Sequence, residues 1–282
     1  MKKIDVDQLP IYSEWPARLL GLEQFKQRFK TKEEIDREFE CDKWGGLLSQ
    51  IQQNPSGWSL VEADNFFLNG SQTVLSIKND LYIAPSIKSH EYYLNEIEKR
   101  LSEFQPIQAL VELGAGYGCT ILNLAKRAIF SGVKLFAAEY TQSGIACLKH
   151  LSAAENIRLV VGACDFTLPS ICEMNIPEKS LVYTNWAVSY VPILDDVFVD
   201  GMIKLKPAAV VHFEPCIEHY DDSLLGLLRE KYTYMNDYNK NLLTLLRKRE
   251  SSGDIRIIKE EPCFYGDNCF APCSFVAWSP VV

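Results

Sequence analysis

From about Ser89 onward, apolar runs of strand length alternate with segments of helical periodicity. A run that is apolar throughout must be covered on both faces, and a helix between two such runs lets the strands lie parallel. The runs fall near residues 107–113, 133–139, 157–162, 180–184 and 208–214, with helical segments near 117–131, 141–155 and 192–204. A long helical segment from about Asp221 to Arg249 follows, then strands near 255–262 and 273–279. This alternation predicts an α/β domain built on a largely parallel sheet with helices on both faces.

The first run ends in Val111-Glu112-Leu113-Gly114-Ala115-Gly116-Tyr117-Gly118, and a helix is expected from about Tyr117. Glycines at alternate positions let the backbone turn sharply and approach a ligand closely. The dinucleotide fingerprint G-x-G-x-x-G needs its third glycine where this chain has Cys119, so that reading fails. In open α/β sheets the ligand lies beyond the carboxyl ends of the strands. The second run ends in Glu139, 21 residues after Gly118, and the third leads into Asp165. Carboxylates at those places suit ribose hydroxyls and an adenine amino group respectively.

A carboxylate followed by G-x-G-x-G, with acids ending the next two strands, resembles the class I S-adenosylmethionine (SAM)-dependent methyltransferases. The resemblance covers residues 87–282. It implies a Rossmann-like, seven-stranded, mostly parallel sheet whose last strand inserts antiparallel beside the fifth, with SAM as cofactor. By that resemblance Glu112, Gly114, Gly116, Gly118, Glu139 and Asp165 hold SAM, Glu112 at the methionine amine. Asn185 ends the fourth run and is expected at the boundary of cofactor and acceptor. It is followed by Trp186-Ala187-Val188, so the Asn/Asp-Pro-Pro-aromatic tetrapeptide of amino-methylating relatives is absent. Tyr92, in a helix expected to open at His90-Glu91-Tyr92-Tyr93, is a candidate to face the sulfonium, whose charge an aromatic ring stabilises.

Acceptor-side candidates are Trp186, Tyr190 and His219, with core packing as the alternative for Trp186. Strand alternation puts His212 and Glu214 on one face of the fifth run. His212 is a candidate base for a hydroxyl acceptor, and Glu214 a candidate to position a hydroxyl or an amine. A satisfied core histidine is the alternative for His212. The run Tyr265–Pro272 and the strand with Trp278 are similar to sugar O-methyltransferases of bacterial polysaccharide loci. The resulting expectation is methyl transfer to a heteroatom, oxygen first, of a small polar metabolite. N-methylation of an amino acid, amine or peptide side chain is an alternative, as are aminopropyl transfer and a non-catalytic adenosyl-binding scaffold.

Residues 1–86 read as a helical extension with short strands. Leu19, Leu20, Leu22, Phe25 and Phe29 recur at helical spacing, Thr31-Lys32-Glu33-Glu34 has the form of a capping box, and Asn54-Pro55-Ser56-Gly57 is a stop. Residues 58–86 are expected as strands with reversals at Asn69-Gly70 and Asn79-Asp80. Trp15, Phe25, Phe29, Phe39, Trp44 and Trp58 are more aromatic surface than two short helices bury against each other. The extension is therefore expected to dock as a lid over the pocket, with a homodimer contact as the alternative. Residues 221–250, rich in acids and tyrosines, are expected to cap the substrate.

A net charge of −8 and a pI near 5.2 argue against nucleic acid as the main partner, which needs clustered Lys and Arg. No run approaches the roughly 18 apolar residues that span a bilayer, and the basic N-terminus lacks the apolar core of a signal peptide. Nine scattered cysteines suit a reducing, cytoplasmic location. Cys263, Cys269 and Cys273 do not form the two close pairs of a structural zinc site, and Glu214, His219, Asp221 and Asp222 match no metal motif, so no metal is expected.

Overall fold

The computed structural model describes residues 1–68 and 70–281. Its N-terminal part is a string of short elements: β1 (Lys2–Ile4), α1 (Leu9–Tyr12), α2 (Trp15–Leu19) and α3 (Lys32–Ile35). A π-helical stretch, Asp36–Lys43, runs into α4 (Trp44–Gln53), and α5 (Leu60–Leu68) precedes the hairpin β2 (Gln72–Ile77) and β3 (Asp80–Pro85). Thr31 caps α3, its hydroxyl accepting from the Glu34 amide at 3.3 Å. The spacing from Leu19 to Phe29 does not produce a helix past Leu19, and Leu20, Leu22 and Phe29 are exposed.

Two further expectations for this part are revised. Residues 60–68 are helical instead of strand-like, because Ser59-Leu60-Val61-Glu62 is itself a capping box: the Ser59 amide donates to the Glu62 carboxylate at 3.1 Å and the Val61 amide to Ser59 Oγ at 3.2 Å. The hairpin reverses at Lys78-Asn79, with Lys78 at φ 55°. Asn69, half of the other expected reversal, lies outside the described residues.

The helix α6 (Ser86–Ser102) leads into the main sheet, beginning one turn before His90. Alternation then runs β4 (Ala109–Leu113), α7 (Cys119–Ala125), β5 (Lys134–Glu139), α8 (Gln142–Ala154), β6 (Leu159–Ala163), β7 (Leu181–Asn185), α9 (Asp196–Lys204) and β8 (Ala209–Pro215). The expected long helix after Asp221 is two, α10 (Leu224–Met235) and α11 (Leu242–Ser251), broken where Asp237 turns to φ 53°. Then come β9 (Ile255–Tyr265) and β10 (Cys273–Pro280). The seven strands are ordered β6-β5-β4-β7-β8-β10-β9. The first five are parallel, and β10 lies antiparallel between β8 and β9.

Strand alternation divides the core. Leu110, Ala137, Tyr183, Val211 and Phe275 face one layer, and Val111, Phe136, Val182, Val210 and Val276 face the other. Residues β4, β7 and β8 are buried nearly end to end, as the unbroken apolar runs required. The hairpin β2–β3 joins this body through paired amides and carbonyls of Ser76 and Gly266, both at 2.9 Å. The buried guanidinium of Arg229 completes the joint, donating to Cys269 O at 2.9 Å, Asn79 Oδ1 at 2.8 Å and Lys78 O at 3.1 Å. All nine cysteines are free thiols. No helix among the described residues is long and apolar enough to cross a membrane.

Candidate functional site

The carboxyl end of β4 runs into the glycine turn, with Gly114, Gly116 and Gly118 at φ 77°, 57° and 93°. These left-handed values favour glycine, and neighbours enforce it. A Cβ on Gly114 would lie 2.3 Å from Ala187 Cβ, and one on Gly116 would lie 2.9 Å from the Trp44 indole. Beside the turn, buried Glu139 ends β5. Its Oε2 accepts from the Gly116 amide at 2.9 Å, and its Oε1 from the Thr141 amide at 3.1 Å and hydroxyl at 2.8 Å. A cavity of about 530 Å³ opens here, floored by Gly114, Gly116, Glu139, Cys164, Asp165 and Phe166. Asp165 is half-buried, and its Oδ1 accepts from the Thr167 amide at 2.9 Å.

The side wall is the loop after β7, which brings Trp186, Ala187, Tyr190, Val191 and Pro192 to the cavity. Trp186 sits at φ 53°, a conformation costly for an aromatic residue unless its surroundings hold it. Glu214 holds this loop. From the end of β8 its Oε1 accepts from the Ala187 and Val188 amides at 2.9 and 3.0 Å, and its Oε2 from the Ser189 amide at 3.1 Å. Burial pushes the Glu214 carboxyl above its ordinary range, and the three amides pull the other way.

The outer wall comes from the N-terminal part: Lys30, Lys32, Ile35, Phe39 and Trp44. Trp44 packs among Phe39, Phe67 and Tyr117, with ring centroids 5.8, 5.5 and 5.4 Å away. Glu40 accepts from the Ser143 amide at the start of α8, at 3.2 Å. Lys30 Nζ pairs with Glu38 at 2.8 Å and stands 4.8 Å from the Tyr190 ring centroid and 5.4 Å from that of Tyr238. One end of the cavity thus offers carboxylate acceptors and bare backbone, and the other offers aromatic faces and ammonium groups.

No family model matches the chain, and no curated protein sequence matches it. Among solved structures, the methyltransferase domain of bacterial CtHen1-C is 12% identical, covering 67% of this chain and 97% of that one, with a TM-score of 0.45. Magnesium protoporphyrin IX methyltransferase (ChlM) from Synechocystis PCC 6803, with bound SAH, is 10% identical over 69% of this chain and 84% of its own, with a TM-score of 0.47. Mitomycin 7-O-methyltransferase MmcR is 13% identical, covers 85% and 68% respectively, and has a TM-score of 0.46. Likeness at this level carries no argument. The decisive observation belongs to this chain: its last strand lies antiparallel beside the fifth parallel strand, inside the sheet. The sheet is that of the class I methyltransferases.

In this sheet Gly114, Gly116, Glu139, Asp165, Trp186 and Tyr190 line one cavity. Other expected site residues lie elsewhere. Gly118 starts α7 and packs on Leu148, which would lie 2.3 Å from a Cβ there. Glu112 is buried beneath the turn, accepting from the Ile121 amide at 3.0 Å, and burial pushes its carboxyl up to about 8. Asn185 accepts from the Tyr93 hydroxyl at 2.5 Å and donates to Thr120 Oγ1 at 2.8 Å, below the cavity floor. Tyr92 leans on the Tyr265 ring, centroids 5.3 Å apart, away from the cavity-lining residues.

Both expected catalytic assignments need correction. His212 has no exposed surface; its Nδ1 pairs with Thr184 Oγ1 at 2.9 Å and its Nε2 accepts from Trp278 Nε1 at 3.0 Å. Burial draws its pKa down to about 3, so it is a neutral core histidine with both nitrogens engaged. Glu214 is a positioning residue for the β7 loop, because its carboxylate oxygens accept from three successive backbone amides of that loop and it does not line the cavity. His219, expected near the acceptor, instead bonds Ser274 Oγ at 2.8 Å and Glu260 at 3.1 Å on β10 and β9. Lys30, Lys32 and Ile35 are cavity residues that the sequence pattern does not single out as functional; the capping box around Lys32 marks only a helix start. Phe39 and Trp44 carried a signal, namely aromatic surface in excess of what their helices bury.

Proposed function

We propose that this chain is a SAM-dependent methyltransferase acting on an oxygen of a small acceptor that is anionic or readily ionised. The observation that carries the reading is the single cavity running from Glu139 and Asp165 to the lysine-lined aromatic wall. The donor set fits the cofactor. Glu139 and Asp165 supply acceptors for the hydroxyl and amino hydrogens of an adenosyl group, and the backbone of Gly114 and Gly116 borders the same cavity. When bound, SAM would supply a methyl carbon activated by its sulfonium, open to bonding by an acceptor oxygen as the carbon–sulfur bond breaks and S-adenosylhomocysteine leaves.

The protein's share is alignment, exclusion of water and control of one proton. Trp186 and Tyr190 are held by the Glu214-braced loop, and Phe39 and Trp44 shield the cavity from solvent. With His212 and Glu214 occupied elsewhere, no imidazole lines the cavity among the described residues. An acceptor hydroxyl must therefore lose its proton through its own acidity, assisted by the positive field of Lys30 and Lys32. A phenolic or carboxylic oxygen meets this condition.

Thermal denaturation with SAM, S-adenosylhomocysteine and NAD tests the cofactor. A ligand at 100 times its Kd adds about 2.7 kcal/mol, enough for a clear shift. A shift with NAD alone overturns the proposal. Transfer of labelled methyl from SAM to a panel of phenols, carboxylates and amines then tests the acceptor. Tight binding without turnover on any of them supports the scaffold alternative.

A further inference from the structure

Three metal-ligating side chains that no sequence motif connects converge on the side of the glycine turn away from the cavity. Asp64 comes from α5, His90 from α6, and Cys119 from the first position of α7. Their ligand atoms all lie within 4.8 Å of one another. Cys119 Sγ is 3.1 Å from His90 Nε2 and 3.2 Å from Asp64 Oδ1. A tetrahedral zinc ion, with bonds of about 2.3 Å to sulfur and about 2.0 Å to nitrogen or oxygen, separates such atoms by about 3.5 Å. The two distances to Cys119 Sγ thus fall only a few tenths of an ångström short of those in a zinc site.

The surroundings resemble the outer support of a metal site. Asp64 is oriented by two donors, the Tyr117 hydroxyl at 2.9 Å on Oδ1 and Asn123 Nδ2 at 3.1 Å on Oδ2. Such partners fix a carboxylate ligand and are what metal sites use to tune affinity. All three residues are half-buried. Thiol, imidazole and carboxylate together suit zinc and its neighbours and are a poor match for magnesium or calcium, which take oxygen ligands.

We propose that Asp64, His90 and Cys119 bind one divalent transition-metal ion of the zinc type, with a fourth position left to water. The ion joins three helices: α5 of the N-terminal part, α6, and α7, which begins at the glycine turn. Its role is a staple that fixes the N-terminal part against the turn. On binding, the Cys119 thiol gives its proton to solvent and the thiolate sulfur forms the bond to the metal; no redox change occurs. The inference stands independently of the methyl-transfer reading.

The test is titration of the full chain, reduced and metal-free, with cobalt(II) and then zinc(II). The expected result is one cobalt(II) per chain, a near-ultraviolet thiolate-to-cobalt charge-transfer band, and loss of that band as zinc(II) displaces cobalt(II). Cys119→Ser should abolish the band, and His90→Ala should weaken cobalt(II) binding at least about tenfold. Cys41→Ser, at the exposed cysteine, should leave both unchanged. Absence of the band in the wild-type chain, or its survival in Cys119→Ser, overturns the proposal. If circular dichroism shows Cys119→Ser unfolded, Asp64→Asn decides: at least about tenfold weaker binding supports the site, and unchanged affinity overturns it.

Discussion

Glu214→Gln separates a loop-positioning role from a catalytic one. The carboxylate now accepts three amides, from Ala187, Val188 and Ser189. Hydrogen bonds to a charged group contribute about 1.5–3 kcal/mol each and neutral ones about 0.5–1.5. The glutamine carbonyl keeps the Ala187 and Val188 amides as neutral bonds, losing about 1 kcal/mol on each. Its amide group faces the Ser189 N–H, donor against donor, and strands it at about 1–3 kcal/mol. Removal of a buried charge returns part of this, since burial already pushes the Glu214 carboxyl up. The net loss is about 2–4 kcal/mol, a fall in Tm on the order of 5–15 °C for a chain of this size. Urea denaturation with an unchanged m-value should report the same loss. If Glu214 were instead a base or substrate ligand, the variant would keep its Tm and lose only turnover. A Tm within about 1 °C of wild type would refute the positioning role.

Glu139→Ala should weaken S-adenosylhomocysteine binding about ten- to a hundredfold, the loss of a charge-assisted partner worth about 1.5–3 kcal/mol. It should also lower Tm, because the Gly116 and Thr141 amides lose their acceptor; unchanged affinity by calorimetry would remove Glu139 from the cofactor site. Stability of the unliganded chain should show a plateau between about pH 4.5 and 6.5 from two opposed groups, read by urea midpoints across pH. His212, at about 3 against an ordinary 6.5, loses stability as pH falls below 6.5, while Glu112, at about 8 against 4.5, loses it as pH rises from 4.5 to 8. Each slope approaches about 1.4 kcal/mol per pH unit, and because buried Glu214 is also raised, Glu112→Gln should reduce the decline above pH 6.5 without removing all of it. A decline unaltered in that variant would show Glu112 ionised in the fold.

The sheet was legible because its strands are apolar on both faces and its crossovers are helix-length, which leaves few topologies. That Glu139 and Asp165 lie at one cavity was legible because the carboxyl ends of parallel strands share one edge of the sheet. His212 and Glu214 were misjudged for one reason. Alternation establishes that they share a face without saying what lies over it: His212 meets Thr184, Phe198 and Trp278, and Glu214 lies under the turn from Ala187 to Ser189. The extension was the least legible. Its elements are only a few residues long, and a π-helical stretch has no simple periodic signature. The Ser59–Glu62 capping box was readable in the sequence, and the strand reading of residues 58–68 overlooked it.

The N-terminal part is unevenly attached, and this decides where the cavity opens. Its hairpin is joined by backbone bonds to Gly266 and by Arg229, while Leu19 and Leu47 are fully buried anchors on either side of the outer wall. Between those anchors, residues 20–31 contain no helix or strand, and few bonds tie them down; the Arg28 amide reaches Met235 O at 3.2 Å and the Lys30 amide reaches Asp237 at 3.0 Å. Segments with few buried contacts and exposed amides open at low free energy. A ligand of the cavity floor must pass the wall of Lys30 to Trp44, so the wall should be the part that opens and the hairpin should stay shut. Hydrogen exchange should then show residues 30–44 gaining protection when S-adenosylhomocysteine binds, with residues 72–85 unchanged and no dependence on protein concentration. Protection that instead rises with concentration and ignores the ligand would make this surface a contact between two copies of the chain.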